Sequence, residues 1–170
     1  MLEKEVAILL NEQINKELYS AYLYLDFSNF YKEEGLDGYA NWYYIQAQEE
    51  RDHAMLFLHY MQNNGEKVTL EAIEKPNIEL KDLVDPLKAG LEHEQYVTSL
   101  INNLYTAAAK ANDYRTMQFL DWFVKEQGEE EENADTNLKR YERFGADLKA
   151  LYDLDKELEA RVYSAPSLVL

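Results

Sequence analysis

Four carboxylates, one imidazole and one carboxamide stand where amphipathic helices would carry their apolar seams. Glu17 lies in line with Leu10 and Ile14 before it and Ala21, Tyr24 and Leu25 after it, at spacings that share one helix face. Glu50 and His53 repeat the anomaly among Trp42, Ala54, Phe57 and Tyr60, and the Glu-x-x-His spacing points both ligand atoms the same way, one turn apart. Glu94 falls among Leu87, Gly90, Leu91, Val97 and Ile101; Gln127 and Glu130 follow Leu120, Phe123 and Val124 and precede Ala134 and Leu138. Unpaired carboxylates in an apolar interior cost several kcal/mol each, or take up protons to avoid that cost. Several together require compensating charge, and two divalent cations supply it. Carboxylates with a single imidazole suit iron(II) or manganese(II).

The elements that must position these groups are long helices. Apolar residues recur at helical spacing from Glu3 to about Lys32, EEGLDG supplies a stop and a turn, and a second helix runs from about Gly38 to Gln62. Asn63, Asn64 and Gly65 can take the left-handed conformation that closes it. From Gly65 to Asp82 no helical stripe is sustained, and Pro76 and β-branched residues mark an extended connection. Its roughly fifteen extended residues reach about 50 Å, more than the length of a helix of this size, so the chain can return to the far end of the bundle. A third helix begins between Leu80 and Asp85, with Pro86 in its first turn, and ends near Ala111. A fourth covers Tyr114 to Phe144 and is closed by Gly145; a shorter fifth is expected from Ala146 to Tyr163, ahead of the tail SAPSLVL. The expected fold is all-α: a four-helix bundle with a long crossover between helices 2 and 3 and a short fifth C-terminal helix. Glu17 to Glu50 and Glu94 to Gln127 are both separations of 33 residues, so two antiparallel hairpins set their polar groups at matching heights.

Composition narrows the chemistry. With 170 residues and 46% hydrophobic content the chain suits one core rather than two. A formal net charge of −16, with no basic run, opposes binding to a nucleic-acid backbone. The acidity reads either as a soluble surface or as a field that concentrates cations. The absence of cysteine excludes disulfides, thiolate-bound zinc and iron–sulfur clusters, so a metal must bind through oxygen and imidazole. The N-terminus lacks the basic start and unbroken apolar stretch of a secretory signal, and no segment approaches the ~20 apolar residues of a membrane span. A cytoplasmic location is expected, with no membrane or nucleic-acid partner.

With these residues in place the chain resembles the ferritins, specifically the bacterial ferritins without haem. The likeness covers essentially residues 1–170 as a single di-iron domain, with the bundle at about 3–144 and the fifth helix and tail at about 146–170. The superfamily is itself a standard example of carboxylate–histidine sites in bundles, in which two helices each give a Glu and two each give Glu-x-x-His. This sequence follows the pattern at Glu17, Glu50/His53 and Glu94, and departs from it with Gln127-x-x-Glu130. The departure is similar to haem-free storage ferritins. The resemblance implies that Glu17, Glu50 and His53 hold one iron, and that Glu50 bridges to a second held also by Glu94 and Glu130. Gln127 would hydrogen-bond bound water or oxygen species. It further implies oxidation of Fe(II) by dioxygen or hydrogen peroxide, and a homo-oligomeric, hollow 24-subunit shell that stores the ferric product.

Three further features rest on that resemblance. Glu49, Glu126 and Glu129, with Glu130, are similar to a third iron site of some bacterial ferritins; the competing reading of EQGEEEEN is a solvated acidic face. Tyr24 resembles the family's tyrosine beside the di-iron site, with core packing as its alternative among fourteen tyrosines. Residue 52, where bacterioferritins place a haem-ligating methionine, is Asp52, so no haem is expected. His59 and His93 lack a ligand partner at suitable spacing and are expected at the surface or in packing. The competing functional classes are a di-iron or di-manganese enzyme acting on another substrate, a DNA-protecting mini-ferritin with its site between subunits, and a metal-free helical module.

Overall fold

In a computed structural model, which describes residues 2–170, the first helix begins where Glu3 turns its own carboxylate onto the free N–H groups of Glu5 (2.8 Å) and Val6 (3.4 Å). This N-cap satisfies donors that a helix start leaves unpaired. The helix, α1, spans Lys4–Glu33, and α2 spans Asp37–Asn63. Between them Gly35 adopts φ +76°, a left-handed conformation that costs glycine little. The brevity of this turn makes α1 and α2 antiparallel neighbours.

The start of α2 has no cap from its own neighbours. Instead the Asp155 carboxylate accepts from the N–H groups of Gly38 (2.8 Å) and Tyr39 (3.0 Å), across more than a hundred residues of sequence. A Cβ at Gly38 would lie 1.6 Å from the Asp155 carbonyl oxygen, so only glycine admits this approach. The helix carrying Asp155, α5, spans Leu148–Glu159 and packs along the beginning of α2.

After Gly65, again at φ +76°, the chain crosses without regular structure to α3, Asp85–Lys110. The crossover is pinned to α1 by Asn11, which donates to the Thr69 carbonyl (3.0 Å) and accepts from the Thr69 N–H (2.7 Å), as a neighbouring strand would. Pro86 sits in the first turn of α3, where its missing N–H costs no hydrogen bond. Asn112, at φ 55°, turns the chain into α4, Tyr114–Phe144, whose N-cap is Asp113.

The four long helices and the crossover therefore take the expected arrangement. α1 pairs with α2, α3 with α4, and α1 with α3. Two apolar clusters form the core. One joins Leu10, Ile14, Phe57, Ile101, Leu120 and Phe123; the other joins Leu23, Phe27, Tyr31, Tyr43, Leu87 and Leu154. The inward polar groups occupy the layer between them.

Three expectations change. Leu25 and Val124, expected on the seams, are each 43% exposed. At 100° per residue Leu25 lies roughly 80° round α1 from Glu17, and the seam passes instead through Leu23, Tyr24 and Phe27. Finally, α5 ends at Glu159 and not near Tyr163. The Asn41 side chain takes up the terminal carbonyls, donating to Leu158 (3.2 Å), Glu159 (3.5 Å) and Arg161 (3.1 Å), and so frees the chain to leave the helix.

Candidate metal centre

Helix phase carries Glu17, Glu50, His53, Glu94, Gln127 and Glu130 all into the interior, each at most 6% exposed. Among the described residues, Glu17, Glu50 and His53 form the one set whose ligand atoms all lie within 4.8 Å of one another. Glu17 receives a hydrogen bond at Oε1 from Gln13 (2.8 Å), which leaves Oε2 without a partner. Glu50 Oε1 and His53 Nδ1 are likewise buried and unbonded; His53 Nδ1 stands 3.3 Å from Glu50 Oε2 but makes no aligned hydrogen bond to it. Native interiors rarely leave such atoms orphaned, and three that share one small space are what an electrophilic ion would satisfy.

On the other hairpin the groups are satisfied within the protein. Glu94 accepts from the Tyr24 hydroxyl and from Gln127 Nε2 (3.1 Å). Gln127 Nε2 also reaches the Glu94 carbonyl and Thr98 Oγ1, both at 3.3 Å. Glu130 Oε2 accepts from Gln46 Nε2 at 2.5 Å. Tyr24 is thus fully buried with its hydroxyl committed to a candidate ligand.

Burial and repulsion by neighbouring carboxylates act on all four inner carboxyls. Burial, and then the neighbouring Glu50 charge, raise Glu17 well above the usual carboxylate range; burial and Glu94 do the same for Glu50. Glu130 is raised by burial, then by Glu94 and Glu50. Burial also raises Glu94, against the hydrogen bonds from Tyr24 and Gln127. Four neighbouring carboxyls that all hold protons too tightly form a site that metal binding would deprotonate.

The outer residues behave differently. Glu49 is only partly buried, and its Oε2 is taken by Arg161 Nη2 at 2.6 Å. Glu126 is half-buried, Glu129 is exposed, and neither closes with Glu49 into a ligand set. His59 is exposed. His93 packs against Tyr19 and Tyr24 and meets Ser20 Oγ at 2.7 Å, and burial lowers its pKa to about 4. Asp52 accepts from the Tyr163 hydroxyl.

Three contributors lie outside the sequence reading. Gln13 stands four residues before Glu17, a spacing that could have flagged it as a donor to a buried carboxylate; Gln46 donates to Glu130 across the bundle, which no local spacing signals. Arg161 gave no such signal, because its partners on α2 are more than a hundred residues away.

Residues 8–144 match the sequence family described as Ferritin, ferritin-like domain. The chain belongs to the ferritin family. It is 38% identical over 164 residues to the bacterial non-heme ferritin of Staphylococcus epidermidis, covering 96% of this chain and 99% of the relative. With that of Staphylococcus saprophyticus it shares 39% identity over 163 residues, 96% of this chain and 98% of the relative. An open-pore ferritin from the hyperthermophilic archaeon Archaeoglobus fulgidus superposes with a TM-score of 0.92 at 38% identity, covering 95% of this chain and all of that one. An engineered closed form of the Archaeoglobus fulgidus ferritin gives 0.93 at 38% identity over 96% of this chain and 100% of the other. Among the described residues of this ferritin, no helix is long and apolar enough to cross a membrane.

Proposed function

We propose that this ferritin is a single-domain iron-storage subunit with ferroxidase activity. The convergence of the orphaned Glu17 Oε2, Glu50 Oε1 and His53 Nδ1 carries the reading. The first Fe(II) binds there. Glu50 bridges to a second Fe(II), which Glu94 and Glu130 hold after exchanging their internal hydrogen bonds for the ion, and Gln127 and Tyr24 keep donors beside them. Iron here is substrate and cargo rather than a resident cofactor, and no haem takes part.

Pairing two ferrous ions matches the electron count of the oxidant. Two Fe(II) give one electron each to dioxygen, which takes up two protons and leaves as hydrogen peroxide; with hydrogen peroxide as oxidant the same two electrons and two protons yield two waters. The ferric product hydrolyses, each Fe(III) and two waters giving FeO(OH) and three protons. An insoluble oxide must be enclosed, and a cytoplasmic 24-subunit shell of identical chains supplies the enclosure. The net charge of −16 favours accumulation of cations around such a particle.

Aerobic titration of metal-free protein with Fe(II), following ferric absorbance, oxygen uptake and particle size together, tests this reading. A fast phase saturating near two irons per chain, followed by uptake far beyond that in a large particle, is the expected result. A stop at two irons in a small oligomer would make the protein a di-iron enzyme, and no uptake would make it a metal-free bundle.

A further inference from the structure

The chain continues past its last helix as a strap. Beyond Ala160, residues 161–170 run back over α2 and α4 and are held at separate points. The Tyr163 hydroxyl donates to Asp52, Trp122 Nε1 donates to Ser167 Oγ (3.0 Å), and Leu168 packs on the apolar cluster around Phe57. Arg161 anchors the strap at its start. Its guanidinium lies 3.9 Å from the Trp42 ring centroid, and its Nη1 donates to the Trp42 carbonyl (3.0 Å) and Gln46 Oε1 (2.8 Å). Its Nη2 donates to Glu49 Oε2 at 2.6 Å, in an ion pair whose two side chains are each only 18% exposed. The planar fork of arginine suits such simultaneous contacts, and stacking on tryptophan adds to them.

The Gln46 amide joins this anchor to the inner carboxyls. A guanidinium only donates and a carboxylate only accepts, so the amide between them has one orientation: its oxygen to Arg161 and its nitrogen to Glu130. In the metal-free chain this arrangement is favourable, because a donor meets an acceptor at 2.5 Å. Beside a cation held by Glu130 it is unfavourable, because the N–H groups turn the positive end of their dipoles towards the ion. The reverse orientation would offer the ion an oxygen, and a small cavity lined by Trp42, Gln46, Glu94 and Glu130 borders the amide. With Arg161 in place, that reversal would set an amino group against a guanidinium, two donors with no acceptor between them.

We propose that Arg161 is a positioning residue for the second cation: by fixing the Gln46 amide it holds Glu130 in its hydrogen-bonded state, and so weakens the second position relative to the first. The inference rests on the two-cation reading above and names what helps to set the rank of the two positions. The polar partners of Arg161 are the Trp42 carbonyl, Gln46 and Glu49, and none of them is a ligand of the two inner ions in that reading, so Arg161 acts through the amide. Linkage is reciprocal: a cation that turns or displaces the amide loosens the grip of Arg161 by the factor that Arg161 weakens the cation.

Anaerobic calorimetric titration of the assembled, metal-free protein with Fe(II) reads the two positions separately. Wild type is expected to bind two ions, the second more weakly. Arg161→Met, which keeps an unbranched stem against Trp42 but no donor, is expected to tighten the second about tenfold, the scale of one hydrogen bond to a charged group, and to leave the first unchanged. Gln46→Leu, which removes the amide, is expected to do the same. In Gln46→Leu, adding Arg161→Met should bring no further gain, because the group through which Arg161 acts is gone. Mere loss of a positive charge would instead tighten both ions, with or without Gln46. Arg161→Lys, which keeps a donor for Gln46 Oε1, is expected to stay near wild type. The inference is overturned by an unchanged second affinity in Arg161→Met, by an equal gain in the Gln46→Leu background, or by Arg161→Lys behaving as Arg161→Met does. Failure of wild type to bind two ions overturns the two-cation reading instead, and the same titration shows which has failed.

Discussion

The two hairpins of the bundle bring equivalent groups to one layer and treat them in opposite ways. On α1 and α2, Glu17, Glu50 and His53 face one another with one unbonded atom each. On α3 and α4, Glu94 and Glu130 are held by Tyr24, Gln127 and Gln46. The first half offers three unbonded ligand atoms to a cation; the second is a hydrogen-bonded network that a cation would have to reopen. A cation entering the first half gains contacts without losing any. One entering the second must displace donors whose loss offsets part of its binding. Two sites of similar composition can therefore differ in affinity through their neighbours alone.

The largest expected effect comes from deleting Glu50, the proposed bridge between the two halves. Glu50→Ala should slow fast ferrous oxidation by at least about a hundredfold, since even partners outside a ligand shell cost up to that much. Circular dichroism and particle size should be unchanged, and loss of folding instead would contradict a role that is primarily metal binding. Next, anaerobic binding should be stepwise, with the first cation at least about tenfold tighter than the second. His53→Ala should remove the tight step and leave the weak one; loss of the weak step would reverse the ranking of the two hairpins.

Protonation offers a subtler test. Burial and neighbouring charge raise Glu17, Glu50, Glu94 and Glu130, so the folded, metal-free chain holds protons that the unfolded chain releases. Their contribution to stability is full below the ordinary glutamate value and is lost as pH rises through their folded values, the reverse of salt-bridged carboxylates. Glu17→Gln should stabilise metal-free protein by roughly 1 kcal/mol at pH 8 and by less at pH 5. Metal uptake should release protons, fewer as pH rises. Equal stabilisation at both pH values would show that Glu17 is already ionised without cost. The smallest effect is expected from Glu129→Ala, which should slow or redirect turnover while leaving the two inner ions bound; unchanged kinetics would leave Glu129 as a solvated surface charge.

The bundle was legible because its signals are local. Helical spacing, Gly35, Gly65 and Pro86 mark where elements start and stop, and a carboxylate on an apolar seam announces itself within one helix. The limits of that reading were also local. Leu25 and Val124 share a nominal face with their neighbours but lie past its edge, because periodicity fixes a helix's phase only coarsely. What separates the two hairpins was not legible. Gln46 serves Glu130 across the bundle and Arg161 returns from the end of the chain, and no periodic pattern encodes partners so remote.

The contact between Gly38 and Asp155 also sets an order in time. A polypeptide emerging from the ribosome makes α1 and α2 early, yet two N–H groups at the head of α2 stay without their acceptor until Asp155, 117 residues after Gly38, has been synthesised. A chain lacking α5 would leave these two N–H groups at the head of α2 without the Asp155 carboxylate. The head of α2 is thus completed only when α5 packs against it.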